Sequence, residues 1–266
     1  VITIILEFTI VKLPMISLNK LVLELNKQFA FFRGRDYTVN GLQIQTTASS
    51  CKIKRVVLAV DPTLSVLRYA SKVKANLLIC HHGLIWEPLA FVDSLTQPYF
   101  ELLFRNGINL YIQHLPLDCH PVFGHSLLLA KYLELEALET FPSEDQGYGA
   151  QGFFRGNVED LENLLDRKLG LLNKRKLGRK DKNDKKRKAL KVVVVSGSGS
   201  SSVHEAIKQK ADVFVTGELK HSAECLATDF GLVVLCYGHR ETELLGLQKL
   251  AEWLQTHFAL ETVRVI

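Results

Sequence analysis

The sequence predicts an α/β protein whose two halves repeat one order of strands and helices. Short apolar runs such as Leu77–Cys80, bounded by polar residues and glycine, are typical of strands buried inside a parallel sheet. Segments with apolar residues at i, i+3, i+4 and i+7 lie between these runs and predict helices that pack on the sheet. The order of elements found from Arg55 onward recurs 136 residues later, from Lys191. Together these observations favour an α/β fold with an internal duplication.

The first half is predicted to open with a helix directly after Ser17, a suitable N-cap residue. The turn dipeptide Asn40-Gly41 then introduces a short, half-buried strand of alternating polarity. The other elements predicted in this half are strands at 55–61, 77–80 and 106–112 and a helix from 62 to about 72. We expect this half to span residues 15–140.

The second half is predicted to repeat the same plan after a helix that begins at Val158 with an acidic first turn. Its strands are expected at 191–197, 210–218 and 229–235, followed by a helix at 242–257 and a strand at 262–266. Residues 141–152 are rich in turn formers and predict a linker that crosses between the halves. The second half then spans 153–266.

The N-terminal residues 1–14 are expected to lie outside the fold, because Met15 is the only methionine and the helical pattern begins after it. Their apolar run is interrupted by Glu7, is too short to span a bilayer and lacks the basic start of a signal peptide. Five cysteines without C-x-x-C spacing predict neither a disulfide framework nor a cysteine zinc cluster. We therefore expect a cytoplasmic protein that does not bind a membrane.

The formal net charge of +5 comes from one segment, because residues 174–191 hold eleven lysines and arginines against Asp181 and Asp184. Such a segment can bind nucleic acid or another polyanion through phosphate contacts. More often it is a solvated loop, and no aromatic residues are interleaved with the basic ones to stack on bases. Nucleic-acid binding is therefore the less favoured interpretation.

A pair of histidines, His81 and His82, follows the predicted strand at 77–80. Functional groups of parallel sheets gather at the carboxyl ends of strands. Adjacent side chains on a regular strand point to opposite faces, so the two imidazoles converge only where the strand breaks. Gly83 provides such a break. In isolation, surface polarity at a strand end would be the simpler explanation.

Two more patterns make a metal site the better explanation, because a histidine followed four residues later by a carboxylate ends a strand in each half. The candidate groups are His81, His82, His114, Asp118, His239 and Glu243. Imidazole and carboxylate ligands without thiolate suit divalent Zn, Mn, Fe, Co or Ni and argue against a closed structural zinc site. Six groups are too many for one tetrahedral ion, whereas two ions bridged by a carboxylate and water would use them.

These residues resemble the NIF-three-like proteins, a family often named GTP cyclohydrolase 1 type 2 homologs, from Met15 to Ile266. The matching motifs are Asn40-Gly41-Leu42-Gln43, Val60-Asp61, Cys80-His81-His82-Gly83, His114-Leu115-Pro116-Leu117-Asp118, Thr216-Gly217-Glu218 and Gly238-His239-Arg240-Glu241-Thr242-Glu243. The resemblance implies two interlocked α/β lobes with a dinuclear metal site between them, and a toroidal homohexamer. The metal ligands it implies are His81, His82, Asp118, His239 and Glu243, with Glu243 as the bridge and His114 as a sixth ligand or a partner of the ligands.

Several residues near these motifs leave alternatives open. His125 stands where an asparagine usually follows the glycine in the family, and either lines the cavity or faces solvent. His120 is expected at the surface. The turn at Ser196–Ser202 can cradle a phosphate on its backbone amides, although it lacks the lysine of a P-loop and a plain tight turn explains it as well.

The function expected from the sequence is hydrolysis of a nucleotide or a phosphorylated small molecule by water activated between two divalent ions, as in opening of the GTP imidazole ring. His114 and Glu218 are candidates for assisting that reaction. The alternatives are a metal-trafficking or metal-insertion protein whose ions are cargo, and a polyanion-binding scaffold that uses the basic segment. The sequence names neither the metal nor the general base.

Overall fold

The computed structural model describes residues 15–86, 92–142, 148–171, 173–178 and 188–266. The predicted N-terminal extension, 1–14, lies outside the described residues, as do residues 179–187 of the basic segment. Every helix in the described ranges is too short or too polar to cross a membrane.

The first sheet has five strands, of which four run parallel and one is an antiparallel edge. Their order across the sheet is β1 (Gly41–Ile44), β4 (Asn109–Ile112), β3 (Leu77–Cys80), β2 (Arg55–Ala59) and β11 (Thr262–Val265). β11 thus brings the C-terminus of the chain back to the sheet of the first half, which interlocks the two lobes.

The second sheet has six strands with a parallel centre and antiparallel flanks. Their order is β5 (Glu136–Pro142), β6 (Tyr148–Arg155), β8 (Ala189–Ser198), β9 (Val213–Glu218), β10 (Val233–Cys236) and β7 (Arg175–Leu177).

Helices cover both faces of each sheet, as the amphipathic patterns predict. In the first lobe they are α1 (Leu18–Phe29), α2 (Leu64–Lys72), α3 (Gln97–Asn106) and α4 (Leu115–Asp118). The others are α5 (His125–Tyr132), α6 (Val158–Leu169), α7 (Val203–Lys208), α8 (His221–Asp229), α9 (His239–Thr242) and α10 (Leu244–His257).

The cores follow from the alternation of side chains along the buried strands. On β2, Val56 and Leu58 face a core shared with α1 and α10, whereas Val57 and Ala59 face a second core shared with α2 and α3. The same alternation on β8 divides its valines between a core with α5 and α6 and a core with α7 and α8. Each lobe is therefore a three-layer α/β/α sandwich, and the predicted α/β fold is confirmed.

The internal repeat extends to the register of the strands. Val56 pairs with Leu77 between β2 and β3, and Val192 pairs with Val213 between β8 and β9. Both residues of the second pair lie 136 positions after their counterparts, the offset read from the sequence. The carboxyl ends of equivalent strands therefore lie at equivalent positions of the two sheets.

The described parts of two predicted loops include strands. The predicted linker, 141–152, belongs to β5 and β6 wherever it is described. Its glycines permit close packing: a Cβ at Gly149 would overlap the Phe141 ring, and one at Gly152 would overlap the Glu136 carbonyl. The start of the basic segment forms β7, which pairs antiparallel with β10. Its charges are paired with acidic side chains: Lys174 and Lys176 bind Glu162, and Arg175 binds Glu224.

Candidate metal centre

The two adjacent histidines converge at the end of β3. The backbone amides of His81 and His82 donate to Ala59 O at 3.2 Å and Val60 O at 2.9 Å, which extends the pairing with β2 beyond Cys80. The strand breaks at Gly83, where a Cβ would overlap the Thr38 hydroxyl. The imidazole centroids lie 4.8 Å apart, and His81 is only 1% exposed.

The short helix α4 brings two more groups to the same place. His114 follows β4, and its ring centroid lies 5.0 Å from that of His81. One turn later, Asp118 Oδ2 lies 3.7 Å from His81 Nε2. The His-x3-carboxylate spacing thus places both side chains on the face of α4 that meets the His81 imidazole.

The second lobe contributes a histidine and a buried carboxylate from the equivalent position after β10. Glu243 Oε1 lies 3.3 Å from His239 Nε2 and 3.7 Å from His81 Nε2, and Glu243 Oε2 lies 3.4 Å from His82 Nε2. One carboxylate therefore faces three imidazoles from both lobes. Gly197, at φ +62°, makes room for it, because a Cβ there would overlap Glu243 Oε1.

Each of four histidines binds an acceptor through Nδ1. His82 Nδ1 donates to Asp61 Oδ1 and His114 Nδ1 to Asp36 Oδ1, both at 2.7 Å. The other two bonds join His81 Nδ1 to Gln113 O at 3.1 Å and His239 Nδ1 to Glu218 Oε1 at 3.0 Å. Because carbonyl and carboxylate oxygens only accept, the Nδ1 atoms carry protons, and each imidazole in its neutral form has its lone pair on Nε2, where it can bind a cation. Metal-binding histidines are oriented in this way.

Charges in the cluster shift several pKa values. Burial lowers the pKa of His81, but Asp118 and Glu243 outweigh burial and raise it to about 9. The hydrogen bond to Glu243 raises the pKa of His239 to about 9. Burial raises the pKa of Asp118 to about 6. Burial acts against ionisation of Glu243, yet the facing His81 and His239 hold its pKa well below the usual range. The carboxylate charge thus favours cations at Nε2, so protons and metal ions compete for the same atoms.

The donor set fits a divalent metal ion. Groups of three ligand atoms lie within 4.8 Å of one another, as in His82, His239 and Glu243. Among the described residues, His81 Nε2 and Glu243 Oε2 are buried without a hydrogen-bond partner. Buried polar atoms without partners are rare in proteins and call for an explanation. Coordination of an ion would satisfy both atoms.

Sequence reasoning missed the acceptors that orient the histidines. Asp36, Asp61 and Gln113 lie in loops or just beyond strands and have no metal-binding spacing of their own. Asp61 nevertheless belongs to the family motif Val60-Asp61, just after β2. Its position at the carboxyl end of a parallel strand could have indicated a functional role. Of the candidates for assisting catalysis, Glu218 orients His239 and His114 faces the cluster.

Other candidates are resolved by their contacts. His125 is fully buried beside His81, and burial holds its pKa well below the usual range. His120 is buried rather than at the surface, because its Nδ1 accepts from the amides of Val122 and Phe123. In the turn at Ser196–Ser202, four backbone amides already donate to protein acceptors, which favours a plain tight turn over a phosphate cradle.

The fold and the cluster define a class of two-lobed α/β proteins with histidines and carboxylates gathered where parallel strands of both sheets end. The model of the Duf34/NIF3 (NGG1p interacting factor 3) family matches residues 16–266, and the chain belongs to this family. The resemblance found in the sequence is thereby confirmed.

Relatives and solved structures agree over nearly the whole chain. The GTP cyclohydrolase 1 type 2 homolog of Archaeoglobus fulgidus is 32% identical over 231 residues, which cover 86% of this chain and 89% of the relative. Reduced HcgD from Methanocaldococcus jannaschii has a TM-score of 0.82 at 28% identity and covers 95% of this chain and 99% of its own. TTHA1606 from Thermus thermophilus has a TM-score of 0.75 at 31% identity, covering 94% and 97%.

Proposed function

We propose that the protein binds two divalent metal ions in this cluster and hydrolyses a nucleotide or another phosphorylated small molecule. The observation that carries the proposal is the convergence of four imidazoles, each of which binds an acceptor through Nδ1, with the buried carboxylate of Glu243 and the carboxylate of Asp118, which is 15% exposed. The names of the relatives, GTP cyclohydrolase 1 type 2 homologs, support a nucleotide as the substrate class.

Two ions account for the ligands better than one. Glu243 Oε1 faces His81 and His239, whereas Glu243 Oε2 faces His82. A carboxylate whose two oxygens face different imidazoles is suited to bridge two cations. His114 and Asp118, which also lie beside His81, supply the remaining ligands. Nitrogen and oxygen donors of this kind suit Zn, Mn, Fe, Co or Ni.

Ions of this class lower the pKa of bound water and polarise a substrate oxygen. The residues of the chain hold and orient the reacting groups. Asp61, Asp36 and Glu218 fix the imidazole planes, and Gly197 leaves space for the Glu243 carboxylate. His239 is the most open ligand, with 33% of its side chain exposed, so we infer that substrate enters from its side.

The test combines metal analysis with activity. Glu243→Gln keeps the shape of the side chain but removes its charge, so we expect loss of at least one ion and of turnover on a nucleotide panel that includes GTP. The matched control is Glu241→Gln on α9, because Glu241 accepts from Asn173 at 3.1 Å and not from the cluster. Circular dichroism checks that both variants fold. Full metal content and turnover in Glu243→Gln would refute the proposal.

A metal carrier is the second candidate, and the exposure of His239 and Glu218 favours it, since an ion to be transferred must be reachable. A carrier shows no turnover in the wild-type protein, yet passes its ions to a metal-free acceptor faster than a chelator releases them. A polyanion scaffold has less support, because Lys174, Arg175 and Lys176 are already paired with acidic residues.

A further inference from the structure

One histidine of the cluster, His125, accepts a hydrogen bond at Nδ1, whereas the other four donate one from that atom. It begins α5, is fully buried, and has its ring centroid 4.7 Å from that of His81. One of its ring nitrogens, a ligand atom of His81 and a carboxylate oxygen of Asp118 lie within 4.8 Å of one another. By position alone, His125 would be taken for another metal ligand.

Its hydrogen bonding argues otherwise. The backbone amide of Gly246 donates to His125 Nδ1 at 3.2 Å. Because an amide N–H only donates, Nδ1 must present its lone pair, and a neutral imidazole then carries its proton on Nε2. Among the described residues, His125 Nε2 is a buried polar atom without a hydrogen-bond partner. His125 therefore directs an unsatisfied N–H into the protein interior beside the cluster.

The start of α10 explains why this amide is available. Gly246 is the third residue of the helix, and amides in a first turn have no acceptor within their own helix. Gly246 also permits the approach, because a Cβ there would overlap the Phe123 carbonyl and crowd the His125 ring. Coordination through Nε2 would require the proton to move to Nδ1, where it would face the Gly246 N–H.

We propose that His125 is a hydrogen-bond donor rather than a metal ligand, and that its Nε2–H binds a small anion or a substrate oxygen held in the cluster. This inference rests on the proposed metal centre for its function, but the position of the proton does not depend on a bound ion. His125 thus becomes a specificity residue for ligands that present an anionic or carbonyl oxygen.

The first test locates the proton directly. Long-range proton–nitrogen NMR spectra of protein labelled with nitrogen-15 histidine distinguish the two neutral tautomers. We expect the Nε2–H tautomer for His125 in metal-free and zinc-loaded protein, and the signals are assigned by their loss in a His125→Gln variant. A proton on Nδ1, in either form, would overturn the proposal.

The second test separates a donor from a ligand. His125→Gln keeps one acceptor for Gly246 and one donor for the cluster, whereas His125→Leu keeps neither. We expect both variants to retain the metal content of the wild type, while the control His114→Gln loses metal. With cobalt(II)-loaded protein, we expect azide affinity, read from visible absorption, to fall at least about tenfold in His125→Leu and to be restored in His125→Gln.

The outcomes are distinguishable. Metal loss in His125→Leu comparable to that in His114→Gln would make His125 a ligand and overturn the inference. Unchanged azide affinity in a folded His125→Leu variant would also overturn it. A wild-type protein that binds no metal would refute the proposed function, and the NMR tautomer would still decide the position of the proton. If the leucine variant does not fold, the wild-type spectrum decides as well.

Discussion

Two carboxylates hold histidines of the cluster through bonds of equal length but differ in their exposure to water. Asp36 Oδ1 and Asp61 Oδ1 each accept from an imidazole Nδ1 at 2.7 Å, from His114 and His82 respectively. The Asp36 side chain is 6% exposed, and the Asp61 side chain is 46% exposed. Because water weakens a charged hydrogen bond, we expect Asp36→Asn to reduce metal affinity more than Asp61→Asn.

The expected magnitudes follow from the partners of each carboxylate. Removing such an orienting group typically reduces metal affinity about 10- to 100-fold, so we expect values near the lower limit for Asp61→Asn and near the upper limit for Asp36→Asn. Asp36 also accepts from the Leu115 amide at 3.0 Å and from Asn40 Nδ2 at 2.7 Å. In Asp36→Asn, the NH2 group of the asparagine would face one of the N–H groups that the carboxylate now accepts from, and this hydrogen bond would be lost. The free energy of unfolding should therefore fall by about 1–3 kcal/mol.

Competition with a chromophoric chelator measures zinc affinity, and urea unfolding of chelator-treated protein measures stability. Glu101→Gln serves as the control, because Glu101 pairs with Arg105 and lies on the exposed face of α3. Equal losses of zinc affinity in Asp36→Asn and Asp61→Asn, or a larger loss in Asp61→Asn, would refute the reasoning from burial.

Three further predictions concern the cluster and the assembly. Gly197→Ala should weaken metal binding, because the added Cβ would overlap Glu243 Oε1. Gly231→Ala is the control: it has a similar positive φ but open space around its Cβ, so it should lower the free energy of unfolding by ~1–2 kcal/mol without changing metal affinity. In metal-free protein, the raised pKa values of His81 and His239 stabilise the fold fully below about pH 6.5, and this stabilisation should be lost as the pH rises to about 9. A urea midpoint that does not decrease as the pH is raised from about 6.5 to about 9 would contradict that expectation. The family resemblance predicts a hexamer, so light scattering should report about six subunits, and a monomer at micromolar concentration would count against it.

Much of the fold was predictable because its signals are local in sequence. The strand at 77–80 has the predicted bounds, and the predicted final strand is present, although it joins the sheet of the first half rather than that of the second. Periodicity also predicted the helix after Ser17, observed as α1. These elements depend on neighbouring residues along the chain, which the sequence displays directly.

The errors arose where distant contacts change the meaning of a residue. Gly149 and Gly152 suggested turns, but in β5 and β6 they admit the Phe141 ring and the Glu136 carbonyl. His120 suggested a surface position, but backbone amides and the Phe123 ring satisfy it in the interior. A residue type alone does not reveal whether a neighbour far along the chain will fill the space beside it.

The sequence by itself determined which chemical groups meet at the strand ends, because the repeat and the His-x3-carboxylate spacing place them there in both lobes. Only the tertiary structure decided what each imidazole can do. His114 binds Asp36, 78 residues away, through an acceptor that frees its Nε2, whereas His125 binds the amide of Gly246, 121 residues away. A neutral imidazole carries its proton on a nitrogen that faces an acceptor and not on one that faces a donor, and folding brings that partner into place.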